Sequence, residues 1–379
     1  MKLALLLARY FPHGGLQRGC LTIAGLLGAR GHEVEILTAA WRGERPEGVA
    51  VRVLGAPGLT NHGRLRAFAR ASRAALAGAG FDAVVGFDRV PGLDLHYVGD
   101  RCYQAGARRR YGPLYRLTPR YRTLVAFEGA VFRPQAGTEI LLPNEAEREA
   151  FQRCYGTPAE RFHPLPPGIP RDRRRAHDAE AVRRATRAEL GVSEEERLLL
   201  VVASGFHTKG LDRALRALAA LAAGGGPKAR LVAIGDDEAA PYERLARRLG
   251  LAQRVRLLPG RDDIPRFLVA ADLLVHAARK ECMGAVLLEA AVAGLPVLCS
   301  AACGYAWHVE KADAGRVLPE PFRQAALNSV LAEMLASPRH SEWARNGVAY
   351  GARTDLFSGR EVAAELIERL ARERRERAR

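Results

Sequence analysis

The chain has 379 residues, and 48% of them are hydrophobic, which is enough to fill two cores and excludes an intrinsically disordered protein. Its formal net charge of +16 at pH 7 predicts an anionic partner, namely nucleic acid, an acidic membrane surface or a phosphorylated substrate. The longest apolar stretch, residues 283–303, contains Glu289 and Pro296, which excludes a transmembrane helix there.

The six cysteines are scattered along the chain, and their spacing does not supply the paired ligands of a zinc site. We therefore expect reduced cysteines and a cytoplasmic protein. The apolar run before Arg9 is too short for a signal peptide, so any contact with a membrane is expected to be peripheral.

In the first part of the chain, short apolar runs alternate with helical patterns. Strands are predicted at 3–8, 34–38, 49–53, 83–87 and 139–142, and helices at 16–30, 65–80 and 145–155. This alternation predicts a parallel, doubly wound sheet. A Tyr- and Arg-rich stretch at 103–122 interrupts it.

The segment HPLPPGIP, residues 163–170, is interpreted as a linker to a second domain. Beyond it, strands are predicted at 198–203, 230–234, 255–258, 273–276 and 296–300, and helices at 211–223, 264–271, 284–293, 324–335 and from about 360 to the end. Two such domains would leave a cleft at the carboxyl ends of both sheets, where ligands bind in open α/β folds.

Two glutamates, Glu281 and Glu289, are separated by seven residues around the start of the helix predicted at 284–293. Backbone N–H groups at a helix start attract anions, and a carboxylate can accept two hydrogen bonds from a ribose diol. The pair is therefore compatible with a sugar-nucleotide site. The alternative is one charge ahead of a helix and one ordinary helical glutamate.

Lys209 lies in the turn SGFHTKG after the strand at 198–203, where an ammonium can neutralise a diphosphate, although a solvated loop lysine fits equally well. Arg173, just beyond the linker, is another candidate cation or one more surface arginine. Gly14 and Gly15 follow the first strand and allow a ligand to approach the backbone closely. The chain has no P-loop, G-x-S-x-G or H-E-x-x-H motif, and the lack of Asp-x-Asp favours a metal-free mechanism.

Several segments together form a specific combination: YFPHGGLQR (10–18), VVGFDRVPGLD (84–94), KGLDR (209–213), GRDDI (260–264) and VLLEAAVAGLPVL (286–298). This combination resembles the retaining glycosyltransferases with two Rossmann-like domains and an E-x7-E motif. Within that family it is most similar to the enzymes that add glucose to the inner-core heptose of lipopolysaccharide. The similarity extends over nearly the whole chain.

The resemblance implies an α/β fold of two facing, doubly wound, Rossmann-like domains of the GT-B type. The acceptor-side domain would cover residues 1–166 and the nucleotide-sugar-binding domain residues 167–355. A C-terminal crossover helix, residues 356–379, would pack back on the first domain.

Roles in binding the nucleotide are also implied by the resemblance. Glu289 would hold the ribose, and Arg261 would lie near the uracil. Lys209 and Arg173 would bind the diphosphate, and Gly15 would contact the phosphates.

Roles at the transferred sugar follow from the same resemblance. Glu281, with the backbone of Gly284 and Ala285, would hold the donor sugar, and Asp100 would face it from the first domain. Lys209, Glu281 and Asp100 are the expected catalytic residues.

The sequence departs from the family pattern at three positions. Family members usually have arginine at Thr208 and often aspartate at Gly205. The first change removes a cation from the leaving group, for which His207 or another arginine would have to substitute. Family members also tend to have aspartate at Gly19, which bears on the acceptor contacts and on the identity of the sugar.

The implied activity is retaining transfer of glucose, or a related hexose, from a UDP-sugar to a heptose of the phosphorylated lipopolysaccharide core, without metal or other cofactor. A nucleotide-sugar epimerase of the same architecture is an alternative. A basic nucleic-acid-binding protein is another, but the chain has no recognised nucleic-acid motif and its arginines are widely spread, so nucleic acid is not an expected partner.

Residues 101–122, called here the basic segment, interleave tyrosines with arginines. Tyrosine suits a membrane interface, and each basic residue near an anionic surface adds about 1 kcal/mol of attraction. We expect the segment to dock the enzyme on the inner face of the cytoplasmic membrane, although an Arg-rich solvated face is the alternative. The arginines expected at this acceptor or membrane surface are Arg108, Arg109, Arg110, Arg116, Arg120 and Arg122.

Overall fold

The strands of the protein form two large parallel sheets and one small two-stranded sheet in a computed structural model, which describes residues 1–377. Each large sheet belongs to a different unit of the chain. Unit 1 comprises Met1–Gly168 together with the segment that begins at Ser358, and unit 2 comprises Ile169–Phe357. Within residues 1–377, no helix combines the length and the apolar content needed to cross a membrane.

The strands of unit 1 are β1 (Lys2–Leu6), β2 (Arg9–Tyr10), β3 (Glu33–Thr38), β4 (Ala40–Trp41), β5 (Ala50–Val53), β6 (Ala83–Gly86), β7 (Leu95–Tyr97), β8 (Glu139–Leu142) and β9 (Phe162–Pro164). Seven of them form one parallel sheet in the order β5-β3-β1-β6-β7-β8-β9, while β2 pairs with β4. The direction of chain order reverses between β1 and β6, which is the switch point where doubly wound sheets bind ligands.

The helices of unit 1 up to the linker are α1 (Gly15–Ala29), α2 (Asn61–Leu76), α3 (Tyr103–Arg110), α4 (Pro119–Phe132) and α5 (Arg148–Tyr155). Hydroxyl caps begin two of them. The side chain of Thr60 accepts a hydrogen bond from the N–H of Gly63, and that of Thr118 from the N–H of Tyr121.

The strands of unit 2 are β10 (Arg197–Val202), β11 (Ala229–Ile234), β12 (Val255–Leu258), β13 (Leu273–His276), β14 (Val297–Ser300) and β15 (Gly315–Leu318). They form a parallel sheet in the order β12-β11-β10-β13-β14-β15, with its switch point between β10 and β13. Leu199 and Val201 of β10 pack into the core on one face, and Leu198 and Leu200 into the core on the other.

The helices of unit 2 are α6 (Ala179–Leu190), α7 (Phe206–Lys209), α8 (Leu211–Ala223), α9 (Ala240–Arg248), α10 (Ile264–Ala270), α11 (Ala285–Val292), α12 (Ala306–Ala312), α13 (Gln324–Ala336) and α14 (His340–Arg353). They cover both faces of the sheet, so its central strands β10, β11, β13 and β14 are largely buried and apolar, as a parallel sheet requires. The edge strand β12 is partly exposed.

The last helix, α15 (Gly359–Arg377), belongs to unit 1, although it follows unit 2 in the chain. It packs on α1, and its side chains Ala363, Ala364, Ile367 and Ala371 are buried in the core around β1. Arg374 also pairs with Asp94 at 2.7 Å. The start of this helix near residue 360 was predicted from the sequence.

Two predictions about local structure hold only in part, although the boundary between the units, at Gly168 and Ile169, lies inside the predicted linker. The stretch at 103–122, interpreted as breaking the strand–helix order, contains α3 and the first turn of α4, separated by a 3-10 turn at Pro113–Leu117. The stretch interpreted as a linker from His163 begins inside a strand, because Phe162–Pro164 pairs in parallel with β8 at the edge of the sheet. An edge position tolerates proline, which cannot donate to a neighbouring strand.

Candidate functional site

The switch point of the second sheet brings together two loops that carry predicted site residues. Lys209 ends α7, directly after β10, and Glu281 lies in the loop after β13. Because β10 and β13 are adjacent and parallel, their carboxyl ends meet at one edge of the sheet. The proximity of these two side chains therefore follows from the strand order.

Lys209 and Glu281 form an ion pair between Nζ and Oε2. Burial alone would raise the pKa of Glu281, but hydrogen bonding with His276 and the charge of Lys209 lower that pKa to about 2. Glu281 is therefore ionised at neutral pH. Gly210 permits this approach of the two loops: its φ is +79°, and a Cβ there would collide with the carbonyl of Ala277.

Gly284 shapes the turn between Glu281 and α11. Its φ of +91° lies in the left-handed region, and a Cβ at this position would lie 3.2 Å from Cγ of Glu281. The N–H of Glu281 donates to the carbonyl of Ala302 at 3.2 Å, which ties this loop to the one after β14. Ala285 begins α11, so its N–H and those that follow point out of the helix start.

Arg173 and Glu289 form a second ion pair, with 3.2 Å between Nε and Oε2. The side chain of Arg173 is only 4% exposed, and its Nη1 also contacts Asp172 at 2.8 Å. Glu289 lies in α11, one helical turn beyond the helix start. Four of the residues predicted to bind the donor thus form two ion pairs, each between a cationic side chain and a carboxylate.

Arg261 is held by its own loop. It lies after β12 and makes a two-point contact with Asp263, at 2.5 Å from Nε and 2.8 Å from Nη2, while its guanidinium stacks on Phe267. Hydrogen bonds from Arg261 and then Arg266 lower the pKa of Asp263 to about 2. The guanidinium of Arg261 is therefore fixed beside an aromatic ring before any ligand binds.

The sequence departs from the family pattern at Gly205 and Thr208. Two side chains that were not predicted, Asp237 and Arg279, contact the turn that contains these residues. The carboxylate of Asp237 accepts from the N–H of Phe206 at 2.7 Å and so caps α7. The N–H of Arg279 donates to the carbonyl of Thr208, and its guanidinium contacts the carbonyl of His207 and both carboxylate oxygens of Asp212. Arg279 is the arginine that lies against this turn.

The residues predicted from the first domain lie at the carboxyl edge of the sheet in unit 1. Gly15 is the first residue of α1, and a Cβ there would meet no atom within 4 Å. Asp100 is exposed and follows β7. Gly19 is buried within α1.

A buried carboxylate, Glu128, holds the chain next to Asp100. It accepts hydrogen bonds from the N–H groups of Tyr103 and Gln104 at 2.8 and 2.9 Å, and it pairs with Arg89, whose guanidinium also binds the carbonyl of Asp100. Sequence reasoning missed this network, because Glu128 looks like an ordinary helical glutamate until the fold buries it.

Asp88, after β6, is a perturbed acid of unit 1. Burial raises its pKa to about 6, although the N–H of Ala8 donates to it at 2.6 Å and Arg89 lies near. The negative charge of Asp100 contributes to the increase.

All six arginines predicted for the acceptor or membrane surface are exposed. The tyrosines differ from the expectation: Tyr121 is buried, and Tyr103 and Tyr115 are half-buried and joined through their hydroxyls at 3.0 Å. Tyr111 is 44% exposed, and the apolar side chains that reach solvent most are Leu114, 78% exposed, and Leu117, 62% exposed. The tyrosines pack against one another as a cluster that supports the 3-10 turn at Pro113–Leu117. The exposure of the two leucines was not predicted, because nothing in the sequence shows which way a 3-10 turn points.

No group of three or more His, Cys, Asp or Glu side chains that could hold a metal ion occurs among the described residues. The six cysteines are all free thiols.

Comparisons with known proteins identify the class. Residues 182–349 match the family described as "Glycosyl transferases group 1", and residues 13–173 match "Glycosyltransferase Family 4". The chain is 40% identical to "Lipopolysaccharide glucosyltransferase WaaG" of Escherichia coli K12 over 97% of its own length and 98% of that protein. It therefore belongs to this glycosyltransferase family.

The solved structures agree with this assignment. A crystal structure of WaaG, described as a glycosyltransferase involved in lipopolysaccharide biosynthesis, superposes with a TM-score of 0.92 over 96% of this chain and 99% of that one. Anabaena HepE, crystallised with UDP-glucose, is 20% identical and shares the fold, with a TM-score of 0.73 over 97% and 99% of the two chains. The predicted fold class, two parallel-sheet α/β domains of the GT-B type, is confirmed.

Proposed function

We propose that this glycosyltransferase moves glucose, or a closely related hexose, from a UDP-sugar to a heptose of the phosphorylated lipopolysaccharide core, with retention of anomeric configuration. The similarity to WaaG over nearly the full length of both chains supports the acceptor and the sugar. The observation that best supports this chemistry is the presence of two ion pairs in unit 2, Lys209–Glu281 and Arg173–Glu289.

The second pair is suited to hold the nucleotide. Glu289 has two carboxylate oxygens, and Arg173 contacts one of them, so the carboxylate keeps acceptor capacity for the two ribose hydroxyls. Arg173 would share its positive charge with the diphosphate. The guanidinium of Arg261, stacked on Phe267, offers a planar surface near which the uracil would lie.

The first pair is suited to the reacting bond. As the glycosidic bond to UDP breaks, negative charge grows on the β-phosphate, and Lys209 and the N–H groups at the start of α11 would stabilise it. Glu281 would accept hydrogen bonds from the hydroxyls of the sugar.

The reaction that fits these residues is attack by the acceptor hydroxyl on the same face from which UDP leaves. Glu281, the ionised carboxylate proposed at the sugar, is assigned to the sugar hydroxyls and not to its anomeric carbon. The departing phosphate would take the proton of the acceptor hydroxyl, so no separate general base is needed. Positioning and charge stabilisation then supply most of the rate enhancement.

We propose that transfer needs no divalent metal, because cationic side chains and the helix start take the place of a metal at the diphosphate. Activity should persist in excess chelator. Strong inhibition that added magnesium or manganese reverses would contradict this part of the proposal.

Access to a lipid-anchored acceptor is the proposed task of the basic segment. Six exposed arginines flank two exposed leucines along the sequence of the segment, which combines attraction to anionic headgroups with side chains that can enter the interface. We place the enzyme in the cytoplasm, peripherally bound to the inner face of the membrane.

The experiment that tests the function is transfer from labelled UDP-glucose to lipopolysaccharide truncated at the inner-core heptose. Labelled product should form only when both substrates are present, and the α-anomeric linkage of UDP-glucose should be kept. UDP-galactose and UDP-N-acetylglucosamine serve as matched donors. A change in the donor alone, without transfer, would instead indicate an epimerase.

A further inference from the structure

His276 lies directly beneath the predicted sugar-binding carboxylate. It is the last residue of β13, only 1% exposed, and its Nε2 lies 3.6 Å from Oε2 of Glu281. The thiol of Cys303 also lies against the ring. Apart from these two neighbours, neither ring nitrogen has a hydrogen-bond partner within residues 1–377.

A buried imidazole without firm partners is costly, because its polar atoms lose water and gain little in return. Here the ring is aimed at the same carboxylate oxygen that receives Lys209. Oε2 of Glu281 is therefore approached by two basic groups, His276 at the end of β13 and Lys209 at the end of α7.

The two cations differ in their freedom to move. Lys209 lies on a four-residue helix, carries a long flexible side chain and has a second proposed partner, the diphosphate of the donor. His276 is fixed within the sheet, where β13 pairs in register with Cys299 of β14. When a donor draws Lys209 to its phosphates, His276 is the partner that stays.

We propose that His276 is a positioning residue: it keeps the Glu281 carboxylate oriented toward the donor sugar when Lys209 transfers to the diphosphate. This inference rests on the proposed function of Glu281 as a ligand of the sugar. It assigns His276 no contact with the substrate.

The charge state of the ring is consistent with this role. Burial alone would lower the pKa of His276, but Cys303 and Glu281 raise it to about 9, so the ring is an imidazolium at neutral pH. The titratable groups around it are Glu281, Lys209, Cys303 and, on the neighbouring strand, Cys299, whose own pKa burial raises. The positioning contact should be lost as the pH rises through about 9.

The first test separates binding of the sugar from binding of the nucleotide. In His276→Leu, kcat/KM for UDP-glucose should fall about tenfold or more, because a charge-assisted contact to Glu281 is lost. The Kd for UDP, which lacks the sugar, should stay unchanged. His276→Gln, which keeps an N–H donor, should recover part of the activity.

The matched control is His308→Gln. His308 is a buried histidine of the same unit that contacts the hydroxyl of Tyr350 at 2.6 Å. Its replacement should leave the ratio of UDP-glucose turnover to UDP affinity unchanged. If UDP affinity falls in parallel with turnover in the His276 variants, or if neither falls, His276 is only a packing residue and the inference is wrong.

A second measurement does not depend on activity. In protein with labelled histidines, the ring resonance of His276 should titrate near pH 9, and its midpoint should drop in Glu281→Gln. His308, whose pKa burial lowers to about 4, provides an internal reference. A neutral His276 at pH 7 would overturn the inference, whichever donor the enzyme proved to use. Absence of transfer by the parent protein would overturn only the proposed function.

Discussion

Arg173 and Glu289 form a salt bridge of 3.2 Å across 116 residues of sequence, joining the 3-10 turn at Arg171–Arg173 to the middle of α11. The contact means that the carboxylate proposed to bind ribose is oriented before any nucleotide arrives. Preorganisation of this kind lowers the entropic cost of binding.

Replacing Glu289 by alanine should weaken binding of UDP. Two hydrogen bonds from ribose to a charged group would be lost, at about 1.5–3 kcal/mol each, and Arg173 would lose its partner within α11. Isothermal calorimetry measures the change. Glu310→Ala, at an exposed position of α12, is the matched control. An unchanged Kd in Glu289→Ala would contradict the ribose assignment.

Replacing Lys209 by methionine should lower turnover more than donor affinity, because charge on the phosphate grows as the bond breaks. The loss of one preorganised stabiliser predicts a decrease in kcat on the order of 100-fold. Lys228→Met, at an exposed site of the same unit, should be silent. Equal kcat in the parent and in Lys209→Met at saturating donor would remove Lys209 from the mechanism.

Replacing Arg108, Arg109 and Arg110 together by glutamine should weaken binding to vesicles that contain anionic lipid, by about 1 kcal/mol for each arginine that lies near the surface. Activity on a small soluble acceptor should survive. The control with the same change in charge is Arg244, Arg247 and Arg248 to glutamine, on the exposed side of α9. If the parent does not bind such vesicles at low salt, or if both triple variants bind equally well, the segment is only a basic surface.

Replacing Asp88 by asparagine should stabilise the protein at pH 8 but not at pH 4. The pKa of Asp88 is raised from 3.8 to about 6 in the folded state, so its ionisation opposes folding above pH 6, and this penalty disappears as the pH falls toward 4. The gain at pH 8 should be on the order of 2 kcal/mol, because the asparagine oxygen can still accept from Ala8.

Thermal unfolding of both proteins between pH 4 and pH 8 measures this difference. Asp82→Asn is the control, since Asp82 accepts from the N–H of Lys2 at 2.8 Å in a similar way. A variant that is no more stable than the parent at pH 8 would show that the charge of Asp88 is compensated by Arg89.

The sheets could be predicted from the sequence, because a parallel strand covered on both faces reads as a short, continuous apolar run. The approach of Lys209 and Glu281 could be predicted as well, since each follows a strand and the carboxyl ends of parallel strands share one edge. Short strands such as β7 and β9 could not be recognised, because three residues carry no periodicity.

The long-range contacts could not be predicted from local pattern. Nothing in the sequence pairs Arg173 with Glu289, buries Glu128 beneath α3, or aims His276 at Glu281; each depends on which elements the topology brings together. The positions of Leu114 and Leu117 depended on the direction of a single 3-10 turn. Sequence patterns specify the helices and strands and the sheet edge at which a loop lies, whereas packing decides which side chains become buried partners.

The position of α15 has a consequence for synthesis on the ribosome. The core of unit 1 requires Ala363, Ala364, Ile367 and Ala371, while unit 2 is one continuous segment, Ile169–Phe357. Domains usually fold in the order in which they emerge. Here unit 2 has all its residues before unit 1 does, and the part of the N-terminal core that α15 covers stays exposed until that helix is translated. A nascent chain arrested near residue 358 should therefore bind chaperones that recognise exposed apolar surface.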